Sequence, residues 1–498
     1  MNIKFEGGIF MSAFSEHLSW LITEKKAKVA ALYKFCEIDR STMYQYISGK
    51  RKVPASIDLV NRIAEFFHLT PVEYEKLKEA YLISKVGDEI YYRRQSVENF
   101  IRNFPDPLPT LIKQKRPNPL EMYPKLNHGE LSCVSFTSQI DLNHYLHRIF
   151  LEESLKENGR ISLFLQPDNH FLFELLSSLK PVHNLRIEQI LCINSTGQMN
   201  DKKELRSLEY LKKLFPLYVA DLDFHPYYFY DDVHSHFENL NGLCCLILTS
   251  EYAITCTSDY QMGVLYGNPD VVSMLWNLFE SYKKKCSELF RVEKFLPENE
   301  SVFRCVISKD SICYMLQPES CLTVFITEEI LRNVLNPNLP NYEEFIPLVL
   351  QMFGNTRKVV DAHHYFSYFT TAGLEHFVKE GRLKEIPDIF YSPFPIPDRM
   401  KMLESMIPYC KRGNYRILKE ETSTGLELPL NFHLCVNGNF GYLLFTNISG
   451  QNVELIIREH GLLEAFEDYL NNFDESYYMS PEETVEVIER AIQSLQQL

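Results

Sequence analysis

Ile38-Asp39-Arg40-Ser41-Thr42-Met43-Tyr44-Gln45-Tyr46-Ile47-Ser48-Gly49-Lys50-Arg51-Lys52-Val53-Pro54 reads as a short amphipathic helix closed by a basic turn. Asp39 stands where a side-chain oxygen accepts from the open N–H groups of a first helical turn. Met43, Tyr46 and Ile47 fall at i, i+3 and i+4 and so share one apolar face. Gly49 suits the left-handed residue that ends a helix. Arg40, Ser41, Tyr44, Gln45 and Ser48 are left facing outward.

Working outward, Val29, Leu32, Tyr33 and Cys36 repeat at helical spacing, and only Glu37-Ile38-Asp39 separates them from the next helix. Two short helices joined by so brief a turn are a helix-turn-helix. Phe14 to Glu24 supplies a helix before the pair, and Ser56 caps another through Phe67. Four or five such helices enclose one apolar core, enough for a small domain.

The stretch from about Lys28 to Pro54 resembles the Cro/repressor (XRE) helix-turn-helix family, matching its apolar pairs, turn, polar helix start and Gly-Lys-Arg-x-x-Pro exit. The likeness extends over roughly Phe14 to Thr70. It departs at two positions, with Glu37 where the turn usually has glycine and Tyr33 where a small alanine is usual. The resemblance implies that Arg40, Ser41 and Gln45 read base edges with Thr42 and Tyr44 beside them. It also implies that Ser48, Lys50, Arg51 and Lys52 lie near phosphates. Independent chemistry agrees, because Arg bonds guanine bidentately, Gln pairs with adenine, and cations at a helix end neutralise phosphate. The bland alternative is a helical hairpin whose basic turn is merely solvated.

Charge is split along the chain. Residues 1 to 103 hold 16 Lys+Arg against 13 Asp+Glu, whereas the remainder holds 35 against 53, within a total of −15. From Arg40 through Ile57 there is no acid. An acidic bulk repels a duplex, so contact with double-stranded DNA is expected from the amino-terminal domain alone.

With 498 residues and 45% hydrophobic content, the chain can bury more than one core. No apolar run approaches the roughly 18 residues that span a bilayer, and no basic segment followed by an apolar one opens the chain. A cytoplasmic protein without membrane contact is therefore expected. The twelve cysteines are scattered without Cys-x-x-Cys, as reduced core residues would be. Cys305, Cys313 and Cys321 recur at intervals of eight but lack a fourth ligand at zinc-site spacing.

The expected fold class is multidomain: an all-α helix-turn-helix domain followed by an α/β, mixed-sheet region, with two related α/β halves left open. A flexible amino terminus over 1–13, with Met11 as a natural start, precedes the DNA-binding domain at 14–103 and its helical extension. A Pro-rich linker covers 104–130. Apolar runs at 131–136, 161–166, 185–192, 216–220 and 242–249 alternate with helical stretches, predicting an α/β domain over 131–295. A second α/β domain over 296–475 has strands expected near 303–307, 312–315, 322–326, 415–419, 432–436 and 441–446. His433 to Phe473 echoes Leu243 to Tyr282 in element order, which raises an internal duplication. Ser480-Pro481-Glu482-Glu483 is a capping box opening a final helix within 476–498.

A helix-turn-helix fused to such a region is similar to one-component bacterial regulators, some of which carry degenerate phospholipase D-like sensor domains. Active enzymes of that superfamily need His-x-Lys, and no His here is followed two residues later by Lys. Phosphate-loop, dinucleotide-binding, nucleophile-elbow and His-Glu-x-x-His motifs are absent as well. No catalytic residue, cofactor or metal is expected. The remaining chemistry-bearing cluster runs from Asp223 and His225, through Tyr228 and Tyr230, to His234 and His236; His363 and His364 repeat the mixture later. Aromatic walls with a few polar groups make these the candidate effector pocket, although plain core or interface explains them too. The leading reading is a sequence-specific DNA-binding transcriptional regulator, a homodimer whose carboxy-terminal region senses a small-molecule or protein effector. The alternatives are a metal-dependent enzyme or defence effector that uses the small domain for targeting or autoregulation, and a protein-interaction scaffold.

Overall fold

The computed structural model describes residues 11–104, 133–194, 205–238, 242–294, 308, 310–419, 426, 428–429 and 432–497. The chain divides into two compact units, with the boundary between Ser96 and Val97.

The first unit is helical. It comprises α1 (Ala13–Glu24), α2 (Val29–Phe35), α3 (Arg40–Ile47), α4 (Ile57–Phe66), α5 (Pro71–Val86) and the start of α6 (Asp88–Arg102). Short polar side chains set the starts: Ser12 accepts from Ser15 N, Asp39 from Thr42 N and Ser56 from Asp58 N. Thr70 and Glu73 form a reciprocal capping box ahead of Pro71. Residues 11–13 were expected to be flexible, but they begin α1, because the Ser12 cap and a Phe14 N–H bond to Ser84 Oγ tie them down. Residues 1–10 lie outside the described residues. Phe14, Leu18, Leu32, Met43, Val60, Ile63 and Leu77 are all fully buried in one core, each on the apolar stripe of its helix.

The α2–α3 turn is tight and needs a left-handed residue. Glu37 takes φ +54°, the left-handed region that glycine enters freely. Arg62 braces the turn, donating to the Cys36 carbonyl and the Glu37 carboxylate at 3.2 and 2.9 Å. Glu37→Gly is expected to stabilise the protein by about 0.5–1 kcal/mol, since relief of the backbone outweighs an exposed ion pair. Chemical denaturation checks this, and a loss of stability would show that the ion pair dominates.

The second unit holds two mixed sheets. The first contains β1 (Cys133–Phe136), β2 (Asn158–Phe164), β3 (Asn184–Ile193), β4 (Asp223–Tyr230), β5 (Cys245–Leu248), β6 (Ala253–Cys256), β7 (Gly263–Tyr266) and β8 (Ser287–Glu288), in the order β1-β7-β6-β5-β2-β3-β4-β8. The second contains β9 (Phe290–Lys294), β10 (Cys313–Leu316), β11 (Tyr365–Phe369), β12 (Tyr415–Ile417), β13 (Leu434–Asn437), β14 (Phe440–Thr446) and β15 (Asn452–Ile457), in the order β12-β11-β10-β13-β14-β15-β9. In each sheet three parallel strands joined by helical crossovers continue into three antiparallel strands, and an earlier strand pairs antiparallel at that end. Apart from β8, the two orders are the same. The halves are thus topologically equivalent, which gives structural form to the duplication read from element order.

The crossovers and covers of the first half are α7 (Gln139–Ser154), α8 (His170–Ser178), α9 (Arg206–Val219) and α10 (Pro269–Lys283). Those of the second are α11 (Glu328–Val334), α12 (Tyr342–Asp361), α13 (Thr371–Glu380), α14 (Ile396–Lys411), α15 (His460–Asn471) and α16 (Pro481–Gln496). The capping box at Ser480 and Glu483 is present, and Val485, Ile488, Ile492 and Leu495 dock α16 into the second half's core.

Two expected strands are corrected. Residues 216–220 continue α9 through an internal Pro216, because Leu214, Leu217, Tyr218 and Val219 extend its buried stripe. The largely apolar run 322–326 is a buried 3₁₀ turn at Thr323–Phe325; so short an apolar run has no period that separates strand from turn. Residues 303–307 lie outside the described residues, as does the expected linker except for Phe104. That residue is core, its ring 4.8 Å from Phe215 and 4.9 Å from Phe432. β9 joins the second sheet just before residue 295, because its backbone completes β15's open edge over Val453 to Ile457. The two halves also share a core, where Phe215 meets Phe445 at 4.7 Å and Phe100 meets Phe466 at 5.8 Å.

Candidate nucleic-acid interface

Helix α3 is anchored by one face and open on the other. Met43 and Tyr46 are buried, the Ser19 hydroxyl donates to the Ile47 carbonyl at 3.2 Å, and the Arg51 N–H reaches the Gln45 carbonyl at 3.0 Å. Arg40, Ser41, Tyr44, Gln45, Ser48, Lys50, Arg51 and Lys52 are exposed, whereas Thr42 is half-buried. Gly49 lies at φ +73° over Met11, so the basic turn leaves the helix along a fixed path. The Ser12 hydroxyl donates to the Lys52 carbonyl and closes that turn against α1.

Among the described residues no acid pairs with Arg40, Lys50, Arg51 or Lys52. Arg40 instead lies 5.5 Å from the Tyr44 ring and Arg51 lies 5.8 Å from the Tyr46 ring. Such contacts orient a guanidinium without neutralising it. Ser41 and Thr42 are less free than their exposure suggests. Both hydroxyls donate to the Asp39 carboxylate at 2.5 Å, and these bonds, with the Thr42 N–H, hold Asp39 well below the usual carboxylate range. Their remaining lone pairs can accept from a base or a bound water.

The residues singled out for an effector are spread over a strand of the first half, the turn after it and the approach to β11 in the second. The stretch from Asp223 to Tyr230 is the strand β4, so alternate residues face opposite sides. Asp223 and His225 pair at 2.8 Å, and that hydrogen bond lowers the Asp223 pKa. Tyr228 and Tyr230 form an edge-on pair at 5.2 Å, and the Tyr230 hydroxyl donates to Glu459 at 2.6 Å. Burial, with Glu459 beside it, pushes the Tyr230 hydroxyl pKa up. This tyrosine pair ties the first half to the second. His234 and His236 sit in a π-helical turn over His234–Glu238, where His236 meets Asp231 at 2.8 Å. His363, at φ +60°, and His364 precede β11 in the other half, with His363 Nδ1 3.4 Å from Asn414 Oδ1. Among the described residues no three His, Cys, Asp or Glu side chains converge on a metal position. Cys313 and Cys321 are buried, and Cys305 lies outside the described residues. No helix among the described residues is long and apolar enough to cross a membrane.

A cavity that no sequence pattern pointed to lies on one face of the second sheet. It has a volume of about 140 Å³, with walls from β10, β11, β14, β15, α12 and the 385–394 loop. Glu385 and Glu454 both line it. Glu454 has a faint sequence signal, as a lone charge inside the apolar run Val453-Glu454-Leu455-Ile456-Ile457; Glu385 has none.

No protein-family model matches the chain, and no curated protein matches it. Two solved structures are similar in part. One, reported as the structure of TrmBL2, an archaeal chromatin protein showing a novel mode of DNA binding, aligns with 55% of this chain and 100% of that one at 11% identity and a TM-score of 0.21. The other, polyphosphate kinase from Porphyromonas gingivalis, aligns with 79% of this chain and 61% of that one at 10% identity and a TM-score of 0.22. Likeness this faint assigns neither protein's chemistry to this chain.

Proposed function

We propose that this protein is a sequence-specific DNA-binding transcriptional regulator. Its amino-terminal unit resembles the XRE helix-turn-helix family, and its duplicated α/β region resembles degenerate phospholipase D-like sensor domains. The observation that carries the reading is α3: a polar, acid-free face anchored by a buried one and followed by three exposed cations without acidic partners among the described residues. A helix of this kind fits a major groove, with the basic exit on the backbone. Arg40, Ser41 and Gln45 read bases, Tyr44 and Thr42 flank them, and Ser48, Lys50, Arg51 and Lys52 meet phosphates. A homodimer places two such helices on two half-sites, and an effector acts by changing the spacing between them.

The phosphate role is tested by salt dependence. On genomic fragments enriched by the full-length protein, Lys50→Ala/Arg51→Ala/Lys52→Ala is expected to reduce the slope of log affinity against log salt by about 2–3. Fluorescence anisotropy between low and moderate salt measures it. An unchanged slope would remove the basic turn from the interface.

A further inference from the structure

We propose that the cavity of the second α/β half is the effector site and takes a small organic cation, an amine carried on an aromatic or branched alkyl body. The inference rests on the regulator reading for its purpose, but not for its chemistry. The space itself sets the size: at about 140 Å³ it is close to the roughly 150 Å³ apolar cavity that accommodates benzene. Its walls are largely apolar, with Phe345 and Phe390 stacked at 5.7 Å and Tyr365 and Tyr442 on the sheet side. Ring faces attract a cation, the more so when water is excluded.

The charge preference comes from the two carboxyls. Glu454 is 4% exposed, and its register partners are Leu444 on β14 and Glu293 on β9. Burial, with Glu293 beside it, pushes its pKa up to about 8. Glu385 is pushed up to about 8 by burial and by Glu319, against the opposing hydrogen bonds of the uncharged Thr323 hydroxyl and Cys321 thiol. Its Oε1 is buried without a hydrogen-bond partner among the described residues. No Lys, Arg or His among the described residues pairs with either carboxyl. Asn452, on the same strand face as Glu454, donates to the Lys384 carbonyl at 2.7 Å and so fastens the Glu385 loop to β15.

The first half treats a buried carboxyl in the opposite way. Glu188 on β3 is wholly buried, yet Arg160, Arg186 and Lys283 reach it at 2.7, 3.1 and 3.1 Å. A buried acid is ordinarily given its cation by the fold. Around Glu385 and Glu454 the second half supplies apolar walls but, among the described residues, no paired cation, so a bound ammonium completes the set.

Benzylamine and its neutral counterpart benzyl alcohol are the probes, titrated calorimetrically into the full-length protein and followed by thermal denaturation. Benzylamine is expected to bind with about tenfold or greater preference over benzyl alcohol. Glu385→Gln and Glu454→Gln, made singly, are each expected to reduce that preference while leaving benzyl alcohol binding in place. Retained alcohol binding also shows that each variant is folded. Equal binding of the two probes, no binding of either, or an undiminished preference in both variants would overturn the assignment. Amine binding that leaves affinity for enriched DNA unchanged would support the cavity and count against the regulator reading; intact DNA binding with no amine binding would do the reverse.

Discussion

Replacing Arg40 and Gln45 together by alanine is expected to weaken binding to the cognate site by about 2–6 kcal/mol, because each bidentate base contact contributes roughly 1–3 kcal/mol of discrimination. Affinity for unrelated DNA is expected to change far less, since Lys50, Arg51 and Lys52 remain. Both side chains are exposed and neither belongs to the buried set of α3, Met43 and Tyr46, so their removal leaves the helical core untouched. Arg40 also loses its contact with Tyr44 when truncated, so part of its effect is lost preorganisation. A competition assay of enriched against scrambled fragments separates the two affinities. A double variant that keeps its preference would place base reading elsewhere.

The second large effect is expected at Glu188. It lies in the first sheet beneath Arg160, Arg186 and Lys283, and Glu280 on α10 also pairs with Arg160 and Lys283. Burial by itself would raise the pKa of this carboxyl, but hydrogen bonds and charge from Arg160 and Lys283 override it and hold the value at about 2. Glu188→Gln leaves three cations around an uncharged amide. A loss of about 3 kcal/mol is expected at neutral pH, the lower end for a broken buried pair, because the cations are partly solvated and Glu280 remains. The folded pKa is depressed, so this stabilisation is complete above the ordinary value near 4.5 and disappears as pH falls towards about 2. Urea denaturation of wild type and variant at pH 7 and pH 3 is therefore expected to give curves that converge on acidification. A constant difference would deny the role of the charge.

What the sequence disclosed depended on how far each signal reached along the chain. The helix-turn-helix was legible because its determinants are local: the Asp39, Ser56 and Thr70 caps, the i, i+3, i+4 stripe of α3 and the left-handed Gly49 all lie within a few residues of what they control. The capping box at Ser480 was legible for the same reason. Strands were read less well. β4 and the start of β11 read as pocket segments, because Tyr, Phe and His suit strand and pocket alike, and pairing with β3 or β10 is decided by residues far away. Residues 216–220 read as a short apolar run, yet burial of Leu217 and Tyr218 in the shared core carries α9 through Pro216.

The two sites divide in the same way. The polar face of α3 belongs to one helix and was visible as a pattern. The cavity is assembled from Met315 to Glu454 by the order of a sheet, so its two carboxyls are separated by 69 positions and share no motif. An aspartate and a histidine in one short segment, such as Asp223 and His225, carry the more visible pattern, and they form a local hydrogen bond.

Hydrogen exchange on the full-length protein, with and without enriched DNA, tests the central claim most directly. Slowed exchange is expected at the Asp39–Pro54 peptides when enriched DNA is present. Enriched DNA that binds tightly while those amides exchange at their free rate would contradict the placement of α3 in a groove.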